Sequence, residues 1–368
     1  MHNSTRRLCS PTGFDGLDRL HLIMGLQCNA RCTMCYQLDH SPRFNMPAEI
    51  WRDRLRDAFP FIKGVKLQGG EPTVMANCRG VAQYLRAFPN VRLSIHSNGI
   101  RVDDFWQETI LEQTSCFDVS INAATESVYD KIVMYGNFAQ VISNVERVVT
   151  QRRGKTPSVG FTAVVLKENF FELNRLIELA GRMGIDKIEF GYDPILTFQR
   201  LPGHEAIISE LARCQEQISR FPCLSVIGLN ALYEHVGQIR NNAVSVKRPM
   251  CAQPFRNLLI DWDGDVKVCC KTWMKLGNVR EQSLQEMWAG VLVNRFRQRL
   301  ERENYNWCSP ECDDNAAPSR VALLNKYVYV LRDDPKIAIR KIRQKVKQLN
   351  GSSRVRRRQP KPPVVPNG

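Results

Sequence analysis

Short apolar runs and amphipathic stretches alternate along the first 230 residues. LHLIMGL (20–26), VKLQGG (65–70), VRLSIHS (91–97), FDVSIN (117–122), SVGFTAVVL (158–166) and KIEFGY (187–192) have the length and apolar density of strands. Between them, PAEIWRDRLRDAF, NCRGVAQYLRAF, DDFWQETILEQ, ESVYDKIV with FAQVISNVERVVTQRR, and FFELNRLIELAGRMG carry apolar residues at three-and-four spacing, which predicts helices. Strand alternating with helix implies a parallel sheet with right-handed crossovers. Six such units predict an α/β fold, a partial (β/α)6 TIM-like barrel over residues 18–225, behind an N-terminal extension 1–17. Chemistry in such sheets gathers at the carboxyl ends of the strands. The distinctive segments fall there: CNARCTMC after the first strand, QGGEPT after the second, HSNG after the third and SINAAT ending the fourth.

The pattern changes after about residue 230. LLIDWDGDVKVC reads as a hairpin turning at Asp263-Gly264, and it is followed by GNV, SLQEMW and NWCSPECD. This predicts a small cysteine-rich C-terminal domain over 226–318 and a remaining segment 319–368. The formal net charge of +15 changes the picture only at that end. Lys336 to Lys361 holds eleven Lys and Arg and no Asp or Glu, which leaves +4 for the rest. The expectation is a short basic helix and a disordered, solvated tail, with an acidic membrane surface or acidic partner as the lesser reading and no specific nucleic acid. No apolar run is long enough to span a bilayer, and MHNSTRRLCSPTG lacks the apolar core of a secretory signal, so a cytoplasmic location is expected.

Thirteen cysteines without an export signal point to metal ligation rather than disulfides. Cys28, Cys32 and Cys35 make one group; Cys251, Cys269, Cys270, Cys308 and Cys312 make a second. Three thiolates are a poor structural zinc site, which needs four ligands. They suit a four-iron cluster with one iron left open to a small molecule.

The spacing Cys28-x3-Cys32-x2-Cys35 after a first strand, with QGGEPT after the next, resembles the radical S-adenosylmethionine superfamily over roughly residues 18–225. The resemblance implies a [4Fe–4S] cluster on Cys28, Cys32 and Cys35 whose open iron is chelated by S-adenosylmethionine. It further implies reductive cleavage of the cofactor to a 5′-deoxyadenosyl radical and hydrogen abstraction from substrate. Gly69 and Gly70 are expected to let the cofactor approach, Glu71, followed by Pro72, to accept from its ammonium, and Ser97 and Asn98 to reach its ribose. Ser120 and Asn122 are further polar candidates; Met34, Tyr36, Val164 and Tyr192 are candidates near the adenine. Asp193, Tyr192 and Cys270 are candidates for lining a substrate cavity.

Cys251, Gly264 four residues ahead of Cys269, and Cys308-x3-Cys312 resemble the SPASM extension in its short, twitch-like form. This implies one auxiliary [4Fe–4S] cluster on Cys251, Cys269, Cys308 and Cys312. Cys270 is expected on the opposite face by strand alternation. The function so implied is oxidation or modification of a sugar- or aminocyclitol-type small molecule, with electrons from a partner such as flavodoxin or ferredoxin. Only about 18 residues precede the first strand, too few for a leader-binding domain, which tilts the expectation away from the alternative, a ribosomal peptide maturase forming thioethers, crosslinks or epimers. A rival of different class is a noncatalytic zinc protein that binds nucleic acid through its tail, for which only His21 and His40 are near the first cysteines in sequence.

Overall fold

The computed structural model describes residues 13–37, 39–192, 200–237 and 250–309, with 312 and 328. The extension before residue 13, Asp193 and the basic tail lie outside the described residues. Six strands stand where the apolar runs place them: β1 (Arg19–Ile23), β3 (Gly64–Gln68), β4 (Arg92–Ser97), β5 (Thr114–Ser120), β7 (Ser158–Val164) and β8 (Lys187–Gly191). They pair in that order, all in parallel. β9 (Ser225–Ile227) adds a seventh parallel strand beside β8.

The hairpin of the cysteine-rich region is β10 (Asn257–Ile260) and β11 (Asp265–Lys267), closed by Gly264 at φ +93°. β10 pairs in parallel with β1, with Leu20 opposite Leu258 and Leu22 opposite Ile260, and β12 (Gly277–Asn278) follows β11. The cysteine-rich region therefore continues the barrel sheet, which reaches ten strands.

Side-chain alternation gives the sheet two unlike faces. Leu20, Leu22, Val65, Leu67, Leu93, Ile95, Phe117, Val119, Phe161 and Ile188 are buried on one face. The helices Asp104–Gln113 and Leu173–Arg182 pack against it. The other face carries His21, Lys66, His96, Asp118, Ser120, Thr162 and Lys187, at alternate positions. Asp118 on β5 reaches Lys187 on β8 at 2.9 Å across the intervening β7. Gly160 on β7 makes this possible, since a Cβ there would lie 2.4 Å from the Asp118 carboxylate and 2.5 Å from Lys187 Cε.

One helix expectation changes form. PAEIWRDRLRDAF yields a wide π-type turn over Glu49–Arg54 and a tight 3-10 turn over Arg56–Ala58. Leu55 N–H reaches back five residues to Ile50 C=O at 3.0 Å. This places Ile50, Leu55, Ala58 and Phe59 all in the core.

Candidate metal and cofactor centre

The cysteine loop leaves β1 at its carboxyl end and is held on three sides. Arg31–Cys32 forms a two-residue strand, β2, against β6 (Val133–Met134), and Thr33 N–H donates to Ile132 C=O at 2.9 Å. Leu26 N–H donates to Phe44 C=O at 2.9 Å, which closes the loop's far end. The third side is the Gly-Gly pair after β3. Gly70 N–H donates to Gly25 C=O at 2.9 Å and Glu71 N–H to Gln27 C=O at 2.8 Å. A Cβ on Gly69, whose φ is +135°, would lie 2.4 Å from Gly25 O, and one on Gly70 would lie 2.0 Å from Gln27 O. The glycines expected to admit a cofactor thus first admit the backbone of the cysteine loop.

Glu71 likewise turns inward, and only 1% of it is exposed. Its Oε1 accepts from Thr73 N–H at 3.0 Å, Thr73 Oγ1 at 2.7 Å and Ser97 Oγ at 2.8 Å; its Oε2 accepts from Asn98 N–H at 2.6 Å. The expected acceptor for a cofactor ammonium is here a tie between the loops after β3 and β4. Burial raises its pKa, and the bonds from Asn98, Thr73 and Ser97 oppose that. Pro72, buried, opens the short turn Pro72–Val74 that holds Thr73 in place.

Ser97 is also internal, accepting from Gly99 N–H at 2.9 Å. Asn98 reaches the cysteine loop: its Nδ2 donates to Asn29 Oδ1 at 2.7 Å and lies 3.9 Å from Cys28 Sγ. His40 Nε2 lies 3.9 Å from Cys35 Sγ. His21, by contrast, sits mid-strand on the polar face, opposite Lys66.

Ser120 Oγ bonds His96 Nε2 at 2.9 Å and Thr162 Oγ1 at 3.3 Å. Asn122, at φ +56° and buried, accepts from Val164 N–H at 2.9 Å, while Asn169 Nδ2 bridges Asn122 C=O and Val164 C=O at 2.7 and 2.8 Å. Asn122 and Val164 are thereby fixed as rim backbone. Tyr192 donates to Gly228 C=O at 2.9 Å and joins β8 to the segment after β9. Met34 packs at the edge of the core, whereas Tyr36 is 86% exposed. Asn29, Asn169 and the Val133–Met134 strap carry no motif signal that sequence reasoning can find.

The first three thiols are mutual neighbours. Burial, followed for Cys28 by opposing help from Ala30 N–H and for both by nearby negative groups including Glu71, pushes Cys28 up to about 11 and Cys32 up to about 12. At neutral pH both are protonated until a metal displaces the proton. Among the described residues, no three His, Cys, Asp or Glu side chains are arranged to hold a single metal ion. Three soft sulfur donors on one strapped loop fit an iron–sulfur cluster with a free iron position.

The second set also converges. Cys269, pushed up to about 12 chiefly by burial, feels Cys270, Cys251 and Cys312, and Tyr305 feels Cys251 and Cys308. Cys308 is set beside the hairpin by its bridge to Thr272 and by Ser309 N–H donating to Lys271 C=O at 2.6 Å. Strand β11 ends at Lys267, so alternation does not orient Cys270, contrary to expectation; it lies in the following turn, exposed. Tyr36 lies within electrostatic reach of Cys35 in the first cysteine group, of Cys270 in the second, and of Asp261. Asp261 follows β10, a position the sequence did not mark, and its pKa is raised by burial against the bond from Trp262 N–H. Phe44 and Trp262 stack edge-on at 5.1 Å, joining the cysteine loop to this hairpin.

Comparison with known proteins agrees with this arrangement. The radical SAM superfamily model matches residues 22–180, and the SPASM iron–sulfur cluster-binding domain model matches 251–313. A "Tungsten-containing aldehyde ferredoxin oxidoreductase cofactor-modifying protein" from Pyrococcus furiosus is 22% identical over 80% of this chain and 86% of its own length. A GTP 3′,8-cyclase from Clostridium perfringens is 25% identical over 46% of this chain and 54% of its own length. Among solved structures, Streptococcus suis SuiB bound to its precursor peptide SuiA superposes with a TM-score of 0.60 at 15% identity, covering 83% of this chain and 76% of SuiB. The anSMEcpe structure with bound AdoMet gives 0.59 at 14% identity, covering 88% and 99%.

Proposed function

We propose that this chain, which belongs to the radical SAM superfamily and carries a SPASM iron–sulfur domain, modifies a peptide or protein segment at the open rim between its two cysteine groups. The observation that carries this reading is the exposed Tyr36, which directly follows Cys35 in the chain and lies within electrostatic reach of Cys270 and Asp261. An uncovered aromatic beside the first cysteine group offers apolar surface that a bound peptide segment can cover. The SuiB structure holds a bound precursor peptide, which favours the peptide alternative over the sugar or aminocyclitol substrate expected from the sequence.

Cys28, Cys32 and Cys35 would hold the first cluster and Cys251, Cys269, Cys308 and Cys312 one auxiliary cluster. Bound with S-adenosylmethionine, the first cluster supplies reductive sulfonium cleavage and hydrogen-atom abstraction. The chain's own work is positional. The Gly69-Gly70 seam and the Glu71 tie fix the cysteine loop against the ends of β3 and β4. Backbone groups at Asn98, Asn122 and Val164 define the rim on which the cofactor would lie.

Two measurements test this. Replacing Cys28, Cys32 and Cys35 together by Ala is expected to abolish 5′-deoxyadenosine formation and leave the auxiliary cluster's absorption. Mass spectrometry of the reduced enzyme with peptides encoded beside its gene is expected to show a mass change in one peptide, matched to 5′-deoxyadenosine. Turnover confined to sugar alcohols would reject the peptide reading.

A further inference from the structure

The helix Val291–Glu301 buries Val293, Phe296 and Leu300, and turns Arg295, Gln298 and Arg299 to an open cleft completed by Arg302, Asn304 and Trp307. Arg295 and Arg299, four residues apart, share one helix face, and Arg302, the residue that caps the helix, lines the same cleft. None has a carboxylate partner among the described residues; the contact made by Arg299 is with the Trp307 ring, at 4.3 Å. An unneutralised arginine row on a folded surface is a site of strong positive potential.

Trp307 ties this face to the second cysteine group. Its ring packs at a tilt against Phe296 with centroids 5.7 Å apart, its carbonyl accepts from Thr272 Oγ1 at 2.8 Å, and the next residue is Cys308. The chain therefore runs from the arginine face, through one fixed aromatic, directly to an expected auxiliary ligand. We propose that this face docks an acidic one-electron carrier protein of the flavodoxin type and brings its redox centre to the Cys308 side of the auxiliary site. One electron leaves the reduced flavin, which is oxidised by one electron, and the auxiliary site gains it. An acidic peptide matches the charge, but it gives no reason for the aromatic contact beside Cys308. The inference rests on the auxiliary cysteines holding an iron–sulfur cluster.

The test uses the full-length holoenzyme, a bacterial flavodoxin and the variant R295E/R299E/R302E, with Lys155→Glu on a distant loop as a charge control. Calorimetric titration at low salt is expected to show binding that weakens at least tenfold in the triple variant and is unchanged in the control. Wild-type affinity is expected to fall as salt rises, and the variant's to respond little. Formation of 5′-deoxyadenosine driven by reduced flavodoxin is expected to drop at least tenfold in the variant, with dithionite-driven formation kept within twofold. Equal flavodoxin binding by wild type and variant would overturn the proposal. So would a polyglutamate peptide whose binding is lost in the variant while flavodoxin binding and reduction stay intact. If the wild type forms no 5′-deoxyadenosine with either reductant, the proposed activity fails, and the binding comparison still decides the docking face.

Discussion

Gly160 is the residue on which the ion pair across β7 depends. A methyl group there would meet Asp118 Oδ1 and Lys187 Cε well inside contact distance. Gly160→Ala is therefore expected to cost about 1–3 kcal/mol, as overpacking does, measured as a lower denaturation midpoint. The neighbouring histidines give the same face a pH signature. Burial first, then the positive charge of Lys66, holds His21 and His96 near 4, below the ordinary 6.5. Folding thus favours their neutral forms. Their contribution is fully present above pH 6.5 and is lost as pH falls toward 4, because the unfolded chain takes up protons that the folded chain refuses. Denaturation titrations are expected to show stability falling over that window, and His96→Gln to flatten the fall. The sequence showed Asp118, His96 and Lys187 as unrelated polar positions; the Gly160 gap that relates two of them arises from strand register, which no local pattern encodes.

At the scale of elements, what was legible followed from periodicity and what was not came from pairing between distant segments. All six central strands stand where their apolar runs lie, because alternation against a buried face leaves little freedom. The three cysteines, QGGEPT and HSNG reach one rim because each follows a parallel strand. The strap of Cys32 by Val133 was not legible, since a two-residue bridge has no period. Nor was the inward turn of Glu71 and Gly70, because a motif names a carboxylate and a missing Cβ but not the distant backbone that each packs against. The seam makes a sharp prediction. Gly70→Ala forces a Cβ into the carbonyl of Gln27, so the cysteine loop must shift while the strands remain. Iron content of the anaerobically reconstituted protein is expected to fall from about eight to about four per chain, with far-ultraviolet circular dichroism unchanged.

At the scale of the whole molecule, the cysteine-rich region is part of the barrel's sheet rather than an appended unit. The sequence marked a second domain by a change of pattern near residue 230, and its hairpin formed as read. What the pattern concealed is that the first hairpin strand has two buried uses. β10 pairs with β11 and also closes the open edge of β1, burying Leu258 and Ile260. Further ties bind the ends together: Asp18 N–H donates to Arg256 C=O at 2.7 Å, and Trp288 Nε1 donates to Asp15 C=O at 3.0 Å. The SLQEMW segment is set for this by a capping box between Ser283 and Glu286, which starts the short helix carrying Trp288. An exposed edge next to a buried, apolar strand is an aggregation template. A chain ending at residue 249 leaves β1 in that state and removes the bonds that tie Asp18 to Arg256 and Asp15 to Trp288. It is expected to be insoluble or to sediment as large aggregates, whereas an appended domain would come away and leave a soluble barrel. Size-exclusion chromatography of the truncated chain distinguishes the two, and a monomeric truncated barrel that still takes up four irons would refute the continuous sheet as the support of the first metal site.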